Sequence, residues 1–228
     1  MSERSGLQKL YGRRKGKKLR SRQDGLVADL LPRVALGIAG GTIDPVELFG
    51  GKQSGIRVEI GFGDGARLIE QATQNPGVGY IGCEPFLNGV AKALAAIDER
   101  RLTNLRVHHG DGRDVLEALP SESVDLIELL YPDPWPKRRH RKRRIISEAF
   151  LAQSARVLKR AGALRFATDI DDYCGWALAR VLRSNEFSWT AESAADWQVP
   201  WEGWRPTRYE QKARREGRTS SYLTFVRN

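Results

Sequence analysis

Cysteine, histidine and methionine are scarce in this chain: two, three and one among 228 residues. Cys83 and Cys174 share no metal-type spacing, and two cysteines are too few for a disulfide framework, so they read as reduced thiols. His108, His109 and His140 do not pair with them at ligand spacing, and no metal site is expected. No apolar run approaches the roughly 20 residues needed to cross a bilayer. The basic N-terminus has no apolar core of the kind a secretory signal carries. The expectation is a cytoplasmic protein with no membrane and no metal. Internal repeats are also missing.

What the chain does have is positive charge, +10 overall, and it is unevenly placed. Residues 1–24 carry nine Lys/Arg and two acids, residues 137–144 carry seven and none, and residues 205–218 carry six and two. Outside these three stretches the chain is net acidic. A protein that gathers its cations in patches is suited to a polyanion, because phosphate neutralisation supplies most non-specific affinity for nucleic acid. Residues 1–24, rich in Arg, Lys, Gly and Ser, read as a disordered basic arm. Residues 25–228 read as a single domain with its core starting near residue 56, and residues 26–50 lead into that core without joining its sheet. A monomer and a homodimer fit the sequence equally.

From residue 56 the hydrophobic pattern alternates between strand and helix periods. Strands are predicted at 56–60, 79–83, 104–108, 124–130 and 163–167, with helices at 65–74, 87–101, 113–119, 143–160 and 171–184. Late strands near Trp189 and at 220–226 could pair antiparallel. Regular alternation implies a Rossmann-like α/β fold, a mostly parallel sheet with helices on both faces. In such a sheet ligands bind beyond the carboxyl ends of the strands.

The residues at those ends carry the chemistry. After the first strand comes Glu59-Ile-Gly61-Phe-Gly63-Asp-Gly65, whose glycines let backbone turn tightly against a ligand. It departs from G-x-G-x-x-G, and no phosphate-binding Lys-Ser/Thr follows. After the second strand comes Glu84, placed to accept from ribose hydroxyls, and after the third Asp111, placed to reach an adenine amino group. With Glu59 they form an acidic crescent. It suits an adenosine-bearing ligand with a positive sulfonium better than a pyrophosphate. This pattern resembles the class I S-adenosylmethionine-dependent methyltransferases over roughly residues 56–170. After the fourth strand comes Tyr131-Pro-Asp-Pro-Trp-Pro136. Its prolines stiffen the backbone around Asp133, as a positioned carboxylate requires, and the seven-cation run begins directly after it. Trp135 could stack on an extruded base or pack beneath the loop. Trp197, Trp201 and Trp204 read as packing residues.

Pro132-Asp-Pro-Trp, Lys137, Arg139-His140, Lys142-Arg-Arg144, Ala167-Thr-Asp169 and Thr207-Arg-Tyr-Glu210 together resemble the signature of the tRNA (guanine-N7-)-methyltransferases of the bacterial TrmB type. The likeness covers about residues 56–226. It implies that Glu59, Gly61, Gly63, Glu84, Asp111 and Asp133 bind S-adenosyl-L-methionine, with Asp133 catalytic. It implies that Lys137, Asp169 and Thr207, Arg208, Tyr209 and Glu210 contact tRNA, and that the target is guanine 46 of the variable loop. Pro85 after Glu84 and Gly112 after Asp111 depart from the usual pattern at the adenine side. A nicotinamide-dependent oxidoreductase would use the same glycine turn and Glu84, but it offers no role for Asp133 beside a cationic run. A non-catalytic RNA-binding protein would have no need of the glycines and four acids. Methylation of a pyrimidine C5 would need a cysteine in the loop, where there is none.

Overall fold

The computed structural model describes residues 10–38 and 41–228. Seven strands form one sheet: β1 (Gly55–Ile60), β2 (Val78–Cys83), β3 (Leu105–His108), β4 (Val124–Leu130), β5 (Leu158–Thr168), β6 (Phe187–Trp189) and β7 (Ser221–Arg227). Their order is β3-β2-β1-β4-β5-β7-β6. The first five run parallel, and β7 pairs antiparallel with both β5 and β6. The expected mostly parallel sheet with an antiparallel C-terminal strand is thus what forms. Chain direction across the sheet reverses between β1 and β4, and that switch opens a crevice at their carboxyl ends.

Helices α1 (Ser21–Asp29), α2 (Leu31–Val34) and α3 (Pro45–Leu48) precede the sheet. Then α4 (Ala66–Gln74), α5 (Leu87–Arg100), α6 (Gly112–Ala118), α7 (Glu148–Val157) and α8 (Asp171–Val181) alternate with the strands. The short α9 (Ala195–Gln198) and α10 (Arg208–Arg215) lie ahead of β7. Two apolar layers flank the sheet. One gathers Val58, Ile81, Ile127, Phe150 and Phe166, and the other Leu68, Tyr80, Leu94 and Val107. Each inner strand is buried on both faces, which is why β4 reads as an almost continuous apolar run.

Three expectations need correction. The helix predicted over 143–160 is shorter. Residues 138–143 form a 3-10 turn, the Ser147 side chain caps α7 by accepting from Phe150 N–H (3.2 Å), and Leu158 already pairs with Val124 as the start of β5. Dense like charge disfavours a regular helix through 137–144. The segment 26–50 does touch the sheet, because Ala35 bridges Val107 and Leu36 N–H donates to its carbonyl (3.2 Å). That contact covers the free edge of β3. Within the stretch read as a disordered arm, residues 1–9 lie outside the described residues. Residues 10–20 have no regular structure, and α1 begins at Ser21, inside the boundary drawn at 24. Cys83 and Cys174 are both buried and free.

Candidate active site

β1 delivers the chain into the glycine turn. Gly61, Gly63 and Gly65 take φ of 80°, 63° and 76°, backbone that side chains with a Cβ rarely adopt. Helix α5 comes so near that a Cβ on Gly89 would stand 2.1 Å from the Gly63 carbonyl oxygen. Glu84, at the end of β2, locks this turn. One carboxylate oxygen accepts from Gly63 N–H (2.7 Å) and the other from Phe86 N–H (2.8 Å). Burial raises the Glu84 pKa, and the two backbone donors oppose that rise.

Asp111 caps α6 by accepting from Arg113 N–H (3.0 Å), and it pairs with the Arg113 guanidinium at 2.5 Å. Glu84, Asp111 and Asp133 line one cavity of about 370 Å³, together with Gly61 and Gly63. Glu59 lines a neighbouring cavity of about 670 Å³. The crescent read from sequence is therefore split: three acids share one chamber and Glu59 faces the next. Gly61, Gly63 and Tyr209 belong to both walls.

The reason Glu59 turns away lies in two residues that sequence reasoning missed. Glu128 stands in register beside Glu59 on the adjacent strand, and Arg67 from α4 reaches both, at 3.2 Å from Glu59 and 2.6 Å from Glu128. Both acids are buried, and desolvation lifts the Glu59 carboxyl to about 7 even against the Arg67 charge. The one local signal was an acid within the apolar run of β4, which needs a buried cation; that it stands opposite Glu59 emerges only from the strand register.

The Pro-Asp-Pro-Trp turn is held in an unusual backbone. Tyr131 and Trp135, on either side, take φ of 49° and 44°, which costs roughly 1–2 kcal/mol per residue. Three contacts offset this. Tyr131 N–H donates to the Ala167 carbonyl (2.8 Å), Tyr131 O–H to Ser220 Oγ (2.9 Å), and Arg144 Nε to the Pro134 carbonyl (2.7 Å). The Arg144 side chain is wholly buried, paired with Asp172 and laid over the rings of Tyr173 and Trp176. Asp133 itself stands open to the cavity, with enough protein around it that desolvation raises its pKa.

The cationic run therefore divides. Arg144 is a strut inside the protein, Arg141 pairs with Asp172 (2.7 Å), and Arg143 lies over Trp135 at 4.9 Å. Lys137, Arg138, Arg139 and Lys142 remain exposed. Trp135 packs edge-on against His140 while still lining the cavity. Asp169, at the end of β5, pairs with Arg218 at 2.7 Å and lines neither cavity.

The stretch 207–210 also divides. Thr207 caps α10 by accepting from Glu210 N–H (3.1 Å), and with Arg208 and Tyr209 it lines the larger cavity. Arg208 pairs with Asp64 at 3.1 Å, and Tyr209 is exposed. Glu210 is fully buried: it accepts from Trp204 Nε1 (2.7 Å) and Tyr222 O–H (2.7 Å) and pairs with Arg214. Trp201, Trp204 and Tyr222 pack edge to face around it. Glu210 cannot touch a substrate from there; it holds the helix that presents the other three residues.

Comparison with known proteins identifies the family. Residues 53–223 match the family model described as "Putative methyltransferase". Among curated proteins, the tRNA (guanine-N(7)-)-methyltransferase of Rhodopseudomonas palustris (strain BisB18) is 50% identical over 218 residues, covering 95% of this chain and 87% of that one. The protein of the same name from Agrobacterium fabrum (strain C58 / ATCC 33970) is 49% identical over 220 residues, covering 95% and 94%. Among solved structures, the 16S rRNA methyltransferase KamB superposes with a TM-score of 0.55 at 15% identity, over 80% of this chain and 92% of that one. The antibiotic-resistance methyltransferase Kmr gives 0.53 at 16%, over 86% and 99%. These two establish the fold alone. With half its residues shared over almost its whole length, the chain belongs to the tRNA (guanine-N(7)-)-methyltransferase family.

Proposed function

We propose that this chain transfers a methyl group from S-adenosyl-L-methionine to N7 of a guanine in tRNA, forming 7-methylguanosine, with guanine 46 of the variable loop as its target. The observation that carries the reading is the position of Asp133. Its stiff turn lines an acidic, glycine-walled cavity on one side and runs into exposed cations on the other.

The cavity suits that donor. In a pyrophosphate site the N–H groups of the glycine turn face the ligand's phosphates. Here the Gly63 N–H is taken by the Glu84 carboxylate, which would repel a phosphate. The remaining lone pairs of Glu84 can accept from ribose hydroxyls, and Asp111 can accept from an adenine amino group. Glu59, held by Arg67 in the adjoining wall, adds little charge of its own, since burial lifts its carboxyl to about 7. When bound, S-adenosyl-L-methionine supplies an activated methyl group on a cationic sulfur.

Guanine N7 has an in-plane lone pair and no proton, so no residue has to act as a base to create the nucleophile. The chain's contribution is alignment, and effective-molarity effects of this kind reach about 7–11 kcal/mol. Asp133 accepts from the guanine N1–H and exocyclic amine, which reads the base and offsets positive charge growing on the ring. A paired contact of this type is worth roughly 1–3 kcal/mol of discrimination. Lys137, Thr207, Arg208 and Tyr209 contact the tRNA, as does Asp169 together with Arg218. Glu210 acts from the interior by fixing α10. An enzyme on this substrate works in the cytoplasm, and no helix among the described residues is long and apolar enough to cross a membrane.

The test is methylation of bulk tRNA with methyl-labelled donor, followed by nucleoside analysis. The label is expected in 7-methylguanosine. Label in a different nucleoside, or none in tRNA, overturns the reading.

A further inference from the structure

The basic stretch ahead of α1 has no part in the chemistry above, yet its described end lines the 370 Å³ cavity. Leu10, Tyr11, Gly12 and Arg13 form one of the cavity's walls. Tyr11 meets Trp135 edge to face, with ring centroids 6.1 Å apart, and the Arg143 guanidinium lies over the Tyr11 ring at 4.6 Å. Gly12 follows at φ 115°, and a Cβ there would be 3.3 Å from Asp133 Oδ2. Glycine alone takes that backbone easily so near the carboxylate.

The other end of the segment is fastened to the loop that carries Glu84. Arg13 lies over the Phe86 ring at 5.3 Å, and the Arg14 carbonyl accepts from Leu87 N–H at 3.0 Å. Helix α5 has no side-chain cap of its own, so this carbonyl satisfies one of the donors that every helix start leaves open. Asn88 then makes two bonds: its Oδ1 accepts from Gly16 N–H (2.7 Å) and its Nδ2 donates to the Lys17 carbonyl (2.7 Å). The segment carries Arg13, Arg14, Lys15 and Lys17 near Arg143, so it is these specific contacts, and not charge complementarity, that seat it.

We infer that residues 10–17 are a strap that completes the methyl-donor pocket, with Asn88 as its latch and Tyr11 and Gly12 as positioning residues for Asp133. The inference rests on the reading of the 370 Å³ cavity as the donor site. Seated, the strap joins the Glu84 loop to the Asp133 turn and closes the cavity between them. The donor must then pass the strap to leave, and the strap must lift for exchange.

The experiment uses the full chain, S-adenosyl-L-methionine as the probe and three variants. Asn88→Ala removes both latch bonds, Gly12→Val crowds Asp133, and Glu84→Ala serves as the reference for the donor site. Donor release is followed by stopped-flow displacement, and trypsin cleavage between Arg13 and Lys18 is followed with and without donor. In the parent chain, bound donor protects that stretch from trypsin. In Asn88→Ala, release quickens roughly tenfold, and protection is lost while the unfolding temperature holds. Gly12→Val gives the same loss of protection together with a lower kcat at saturating donor. Unchanged release in Asn88→Ala, with cleavage indifferent to the donor, overturns the strap. Glu84→Ala separates the two readings. If it abolishes donor binding while Asn88→Ala changes nothing, only the strap fails; if it binds donor like the parent, the assignment of the cavity fails.

Discussion

Arg144 supports Asp133 from behind, through the Pro134 carbonyl, and its charge is met by Asp172 and two aromatic faces. Arg144→Met keeps the bulk of the side chain and removes the hydrogen bond. Loss of a bond from a charged donor costs about 1.5–3 kcal/mol, to be read by urea unfolding. The freed turn lowers kcat by at least about tenfold, the effect of 1.4 kcal/mol of lost positioning, while affinity for the methyl donor changes far less. A second residue links stability to pH. Burial raises Glu59 to about 7, above the roughly 4.3 of a free glutamate. The native chain therefore keeps a proton across that window which the unfolded chain has released. The stabilisation is complete below the unfolded value and is lost as pH rises through 7. Between about pH 5 and about pH 8 the melting temperature of Glu59→Gln should fall less than that of the parent.

At the scale of elements, α10 shows how four neighbouring residues divide their work. Glu210 faces inward to Trp204 and Tyr222 while Tyr209 faces the cavities. Tyr209→Ala should raise KM for tRNA and leave the unfolding midpoint nearly unchanged. Glu210→Gln should destabilise the fold, because its amide would point a donor at groups that are themselves donors; removing one partner of a buried network costs about 1–3 kcal/mol or more. This division was not legible in the sequence, where Thr207-Arg-Tyr-Glu210 reads as one contact surface. Helical phase puts the fourth residue on another face only once the packing of α10 against β7 is known. The main strands and helices were legible, since their periodicity is local. The start of α7 was not, because a capping serine and a charge-driven 3-10 turn outweigh apolar spacing there. Arg144 was hidden for a similar reason: its partners, Asp172, Tyr173 and Trp176, come from α8, and nothing near residue 144 announces them.

For the molecule as a whole, the sheet order places β1, β2, β3 and β4 so that their carboxyl ends converge, and this brings Gly61, Glu84, Asp111 and Asp133 to one crevice. The sequence could be read that far from alternation alone. It could not reveal that Glu59 faces a separate chamber, which depends on Glu128 meeting it across β1 and β4. The exposed cations Lys137, Arg138, Arg139 and Lys142 follow the Asp133 turn in the chain and account for part of the +10 charge. Replacing Arg138 and Arg139 with Gln should weaken tRNA binding. It should also flatten the plot of log affinity against log salt by about 0.7–0.9 for each phosphate no longer neutralised; an unchanged slope would place the RNA track elsewhere. The central claim, that Asp133 joins the donor pocket to the RNA track and orients the guanine, is tested most directly by single-turnover methylation of tRNA with Asp133→Ala at saturating donor. Removing a paired interaction from the upper part of the roughly 1–3 kcal/mol range, about 1.4 kcal/mol or more, predicts a fall of roughly tenfold to more than a hundredfold. A fall of less than about tenfold would contradict it.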